Sequence, residues 1–272
     1  SLDSDVGPMT GNVVFPGPVR VQGSVLSGFS LTAGGDALVG GSVEAALVSS
    51  DGRIALAGGV KGSRRGTLRA KKTIEASFAE QSLLLAVEDI RIKSSVVLCN
   101  AKTNGRFLVS DPKGAIVGGL TRARKGVEAA QIGSERGVKT EISFGQDYLV
   151  ADQIEAEARE VERLKALVVR ADRTMAELER AAGLTGAGAA GLDPLRQDKV
   201  KLMKLIEKRS IRLFDLREKF EEHHPSEVRV RGTIYPGVIL ESHNRFFEVR
   251  SKRTGVAFSF DPGTGRIVER PL

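Results

Sequence analysis

"LTAGGDALVGGSVE", residues 31–44, decides the fold. Two glycine pairs, Gly34-Gly35 and Gly40-Gly41, sit six residues apart between short runs of small and β-branched residues. A phosphate-binding loop would need G-x-x-x-x-G-K-[ST], or G-x-G-x-x-G opening a helix, and neither pattern lies between these runs. Each glycine pair instead separates two alternating apolar segments, so the stretch reads as strand, corner, strand.

The same unit recurs in both directions. "FSLTAGGDALVGG" (29–41) is followed by "ALVSSDGRIALAGG" (46–59), "TLRAKKTIEASF" (67–78), "LLLAVEDIRIKSS" (83–95) and "RFLVSDPKGAIVGG" (106–119), and "GNVVFPGPVRVQGSV" (11–25) is an earlier copy. In each, a short strand ends on a small residue (Ala33, Ser49 or Ser50, Ala70, Ala86, Ser110), turns through Gly, Asp or Lys, and gives way to another strand. The repeat length is 16 to 24 residues. Short strands punctuated by corners at nearly fixed spacing predict a β-solenoid, here a right-handed β-helix over residues 11–147. Glycine at a corner is expected to supply positive φ, which a Cβ would oppose. The competing architecture, a β-sandwich with Gly-rich turns, would call for more large aromatics. The 272 residues contain 11 Phe, 2 Tyr and no Trp, a poor stock for a sandwich and an adequate one for a narrow interior of Val, Ile, Leu and Ala.

The period changes at Tyr148. Ile154, Val161, Val168, Met175 and Ala182 lie seven apart, with Leu164, Ala171 and Leu178 three residues after the second, third and fourth. These are heptad a and d positions. Glu157 occupies the first d position, which predicts a loose helix start. "GLTGAGAAGLDPL" (183–195) breaks the pattern, and Leu195, Leu202 and Leu216 at d with Ile206, Leu213 and Phe220 at a resume it. Lys199 and Arg209 are polar exceptions in that second series. Residues 148–224 are therefore expected to form an antiparallel coiled-coil arm, two helices of roughly 30 residues and about 45 Å. After Pro225 the β pattern returns: "EVRVRGTIYPGVILE" and "RFFEVRSKRTGVAFSFDPGTGRIVE" predict that residues 225–272 complete the β body.

Charge follows the same division. Residues 148–224 hold 15 Lys/Arg against 15 Asp/Glu, whereas 1–147 hold 18 against 14 and 225–272 hold 8 against 5. The arm is densely charged and balanced, and the net +7 resides in the β segments. The run 52–74 has Arg53, Lys61, Arg64, Arg65, Arg69, Lys71 and Lys72 with no acid, and Arg122, Arg124 and Lys125 follow in "GGLTRARKG". Stacked in register, Arg64, Arg65, Arg69, Lys71, Lys72, Arg122, Arg124 and Lys125 would form a basic stripe fit for an acidic partner, an anionic surface or nucleic acid. Aromatic residues for base stacking are missing from it.

Catalytic patterns are sparse. The acids of the repeat region (Asp36, Glu44, Asp51, Glu75, Glu80, Glu88, Asp89, Asp111) are scattered, and several occupy corners where Asp serves turn geometry. His223 and His224 close the second helix, His243 falls in a polar turn, and no i, i+4 His pair or CxxC occurs. Cys99, the single cysteine, belongs to an apolar run and is expected to be a buried core residue. No catalytic residue, cofactor or metal site is assigned. No apolar stretch reaches the ~18 residues of a membrane span, and no signal-peptide pattern opens the chain, so a cytoplasmic location is expected. The chain opens without Met, and a piece of a longer protein is expected.

Four motifs in order are specific: "IVGG" at Ile116–Gly119, "IGS" at Ile132–Ser134, G-x-x-T at Gly137–Thr140, and G-x-x-Y-P-G-V at Gly232–Val238 after the arm. Together with the Gly-rich coils and the coiled coil, they resemble the bacterial flagellar assembly protein A family, from about Gly11 to Arg250. The resemblance implies a non-enzymatic scaffold or regulator of flagellar assembly or placement. It would work through protein partners of the assembly or polar-positioning machinery, with a further N-terminal domain. Two alternatives stand beside it: a nucleic-acid or anionic-surface binding module using the basic coils, and a self-assembling solenoid.

Overall fold

The computed structural model describes residues 1–185 and 192–272. The chain divides into two compact units, Ser1–Leu149 with Glu222–Leu272, and Val150–Glu221.

In the first unit the opening stretch is three sides of one coil. Ser30–Ala33, Ala37–Val39 and Val43–Glu44 are strands, and each glycine pair is the corner between two of them. The next coil lays its strands in parallel on these: Ser30–Ala33 on Leu47–Ser50, Ala37–Val39 on Ile54–Leu56, and Val43 on Val60. Repetition produces three parallel walls, called here first, second and third in that order. It is a β-solenoid. A sandwich is ruled out because strands adjacent in sequence lie on different walls and pair with the coils before and after.

The register is set by alternation. In the third wall the inward residues Val6, Val25, Val43, Val60, Ala79, Val96, Ile116, Ile132 and Ile234 stand one above another, and all have zero exposure. A one-residue slip would turn the whole column outward. The small residues of the first wall also align: Ala33, Ser50, Ala70, Ala86, Thr103 and Ala123 share one inward column. Ser110 is not among them. It follows Phe107–Val109, which lies on the second wall beside Ile90–Ile92, so the unit at 106–119 is one wall out of phase with the earlier ones.

The glycine corners work differently from the expectation. Gly34, Gly35, Gly40 and Gly41 all have ordinary negative-side backbone geometry. They are glycines because the previous coil passes too close. A Cβ on Gly34 would fall on the Pro16 carbonyl oxygen, and one on Gly40 on the Gln22 carbonyl. Positive φ occurs at another corner, between the third and first walls, at Gly28, Ala45, Arg64, Gln81, Leu98 and Gly118. Asp36 and Asp89 hold corners in place, each accepting a backbone N–H from the following coil, Arg53 at 3.0 Å and Arg106 at 2.9 Å.

Two helices interrupt the stack, α1 (Tyr148–Thr185) and α2 (Leu192–Glu221). The β segment after them re-enters the solenoid. Glu227–Ile234 pairs in parallel with Gly126–Ile132, and Val238–Ser242 with Thr140–Phe144. The arm is thus inserted at a corner between two consecutive coils, where the His224 amide donates to the Gly145 carbonyl at 3.1 Å. Three antiparallel strands then cover the end: Arg245–Glu248 on Val238–Ser242, Arg253–Asp261 on Glu227–Ile234, and Arg266–Pro271 outside that.

α1 and α2 pack antiparallel, as contacts Glu157–Arg209, Asp172–Lys199 and Glu179–Arg196 show by their opposed order. The heptad residues Val161 and Leu164 are buried in the seam, with Leu202, Ile206, Leu213 and Leu216 half-buried. Glu157 does not loosen the helix start. It is an interior residue of α1, 7 % exposed, held by Arg209 at 2.9 Å and Arg212 at 3.1 Å. Lys199 reaches Asp172 at 2.5 Å. Two of the polar exceptions, Glu157 and Arg209, thus answer one another across the helices. Pro194 is no breaker either; it sits in the first turn of α2, where a missing N–H has no helical partner to lose. Of the glycine-rich tip, residues 186–191 lie outside those described.

Candidate interaction surfaces

The eight basic residues do not form one stripe. Arg69 and Arg122 face outward from the first wall, in a single column that reads Thr32, Ser49, Arg69, Leu85, Lys102, Arg122. Arg64 and Arg65 are exposed on the left-handed corner leading into that wall. Lys71, Lys72, Arg124 and Lys125 belong to the corner leaving it.

Two of them are already engaged. Lys71 pairs with Asp51 at 2.9 Å. Arg124 is largely buried between Asp147 at 3.7 Å and Glu222 at 3.9 Å, two residues far apart in sequence that belong to the β unit with it. Lys125 lines a groove of about 300 Å³ with Arg106, Glu128, Glu227 and Arg229, where charges of both signs alternate. Arg64, Arg65, Arg69, Lys72 and Arg122 make no ion pair among the described residues. Of the eight, those without an ion pair are thus Arg69 and Arg122 on the first wall, Arg64 and Arg65 on its entry corner and Lys72 on its exit corner. The second wall is neutralised across its rungs, for example by Arg91 with Glu75 at 3.3 Å and Arg231 with Glu128 at 3.5 Å.

The histidines gather in a way their sequence positions hide. His223 and His243 come within 5.3 Å, and Phe260 stacks on His243 at 4.5 Å. His243 has a left-handed backbone, its Nδ1 lies 2.9 Å from Ser242 Oγ, and its amide donates to Gln146 Oε1 at 3.1 Å. Burial, reinforced by His223, lowers its pKa below the usual histidine value. Burial and the neighbouring Arg124 and Lys125 do the same to His224. α2 ends at Glu221, ahead of His223 and His224, and the surroundings of His224 and His243 favour the neutral imidazole. The signal that could have exposed the cluster is the pairing of Thr140–Phe144 with Val238–Ser242, which brings residues either side of the arm together.

Cys99 is buried as expected, and burial raises its thiol pKa. Among the described residues no three His, Cys, Asp or Glu side chains form a group able to hold a metal ion. No described helix is long and apolar enough to cross a membrane.

A second surface lies on the arm. Outside the α1 seam, α2 carries Val200, Met203, Ile211 and Phe214, all more than half exposed. A groove lined by Ala158, Val161, Leu213 and Phe214 runs beside them. This apolar set on a charged helix has no counterpart in the heptad reading, which assigns only the inner seam.

Compared with known proteins, residues 1–265 match the family model described as the flagellar assembly protein A beta solenoid domain. No curated protein and no solved structure matches the chain.

Proposed function

The chain belongs to the flagellar assembly protein A family, and from that premise we propose a non-catalytic scaffold that supports flagellar assembly or placement by holding protein partners. The solenoid supplies rigidity, since each coil is fixed by parallel pairing on both sides. The helical hairpin supplies a long surface of its own, since the 38 residues of α1 extend about 57 Å at 1.5 Å per residue. Its place of work on this reading is the cytoplasm, where the assembly machinery is accessible.

The observation that carries the reading is the outer apolar row of α2. Exposing Val200, Met203, Ile211 and Phe214 on a helix whose seam residues face α1 elsewhere costs solubility and adds nothing to the hairpin. A contact surface for another protein accounts for it.

The test is Ile211→Glu with Phe214→Glu in a flagellated cell whose own copy is deleted. Both side chains are exposed, so the hairpin should keep its helicity by circular dichroism. Loss or misplacement of flagella with normal protein levels is expected. Flagella of normal number and position would overturn the arm as the docking element.

A further inference from the structure

Resting on the scaffold reading, we infer that the outer face of the first wall is a docking site for an acidic amphipathic helix of a partner protein. Two outward columns cover this face. One reads Leu47, Thr67, Leu83, Asn100, Leu120, and the other Ser49, Arg69, Leu85, Lys102, Arg122, each rung paired in register with the next. Neither column contains a carboxylate over this span, and Glu141, the rung after Leu120, is paired with Lys139. Arg64 and Arg65 extend the positive field around the entry corner, and Leu98 adds exposed apolar surface there.

Spacing selects the occupant. Leu47, Leu83 and Leu120 stand two rungs apart, about 9.6 Å at ~4.8 Å per rung. Seven residues of α-helix advance about 10.5 Å, so a helix lying along the solenoid axis meets one leucine every second turn. Its flanks would then pass Arg69 and Arg122, which requires Asp or Glu beside the apolar row. The complementarity is in both charge and period.

Other polyanions fit less well. A nucleic-acid backbone would lay phosphates across leucines, and no aromatic side chain in either column offers a base a stacking surface. A membrane would favour apolar side chains that project, whereas Leu83, Leu85 and Leu120 are partly buried between their neighbours.

The experiment is a yeast-displayed library of helical peptides of about 20 residues, with every position varied, sorted for binding to the whole 272-residue chain. Survivors are then titrated against Arg69→Glu with Arg122→Glu, and against Leu83→Ser with Leu120→Ser. A single-stranded oligonucleotide and phosphatidylglycerol vesicles are titrated alongside. Enrichment of peptides with apolar residues seven apart flanked by acids is expected, with affinity falling about tenfold or more in each double variant. Unchanged thermal melting of both variants keeps the comparison one of surface. The inference is overturned by survivors lacking that pattern, by no survivors, by binding that ignores both variants, or by tighter Arg69- and Arg122-dependent binding of the oligonucleotide or vesicles. Any of these leaves the scaffold reading standing if the arm variant still abolishes assembly. A normal result with the arm variant leaves this inference untouched.

Discussion

Gly34 and Gly237 are glycines for different physical reasons. Gly34 has ordinary backbone geometry but no room, with the Pro16 carbonyl where a Cβ would stand. Gly237 has open space around it but a φ of +85°. Gly34→Ala should therefore cost about 1–3 kcal/mol by overpacking, and Gly34→Asn at least as much. Gly237→Ala should cost about 1–2 kcal/mol, and Gly237→Asn less, because Asn tolerates the left-handed region. Urea denaturation of the four variants checks this; an Asn that helps equally at both sites would sink the distinction. The corner glycines were legible as corners in the sequence, but their cause was not. Closeness to a neighbouring coil depends on residues 18 positions upstream in the chain, such as Pro16 for Gly34, and no local pattern records it.

Within the arm, heptads identified the helices, their antiparallel packing and their seam. The polar exceptions look like faults in either helix taken alone. Only the pairing turns Glu157 and Arg209 into one unit, with Arg212 as a second cation. Arg209→Leu should destabilise the hairpin by roughly 1–3 kcal/mol, since Glu157 is nearly buried and loses a principal partner. Glu157→Leu with Arg209→Leu should recover most of that loss, and hydrogen exchange of the α1 amides would measure it. A double variant as unstable as the single one would mean that the pair's other neighbours carry the effect. The strands of the solenoid were equally readable from alternation, except where Ile74–Ala86 and Ile90–Thr103 each run through two corners without a Gly or Pro to mark them. There Gln81 and Leu98 take the left-handed turn that Gly118 takes in the next coil, and neither side chain gives a turn signal. The basic residues could be named from sequence, yet their grouping could not. Whether Arg69 and Arg122 share a column depends on coils of unequal length, and Arg124 found two carboxylates far apart in sequence.

Across the β unit, stacking makes each coil a template for the next, so the end of the stack needs a stop. Arg245–Glu248 and Arg253–Asp261 provide it by pairing antiparallel where another coil would pair parallel. A chain ending at Asn244 should expose both strands of the final coil and associate with rising concentration, as sedimentation velocity would show. A truncated chain that remains monomeric throughout would remove the capping role. The position of the arm also sets a clock. Residues 148–224 must be synthesised after Thr140–Phe144 and before Glu227–Ile234 can cover the coil below, which at ordinary translation speed takes on the order of 4–15 s. For that interval the newest coil on the ribosome is an open edge beside its neighbours' open edges. The helices themselves form in about microseconds, so a hairpin that closes promptly delivers the sealing strand to its place the moment it is made. Selection on this arm would then act on the nascent polysome as well as on the finished protein.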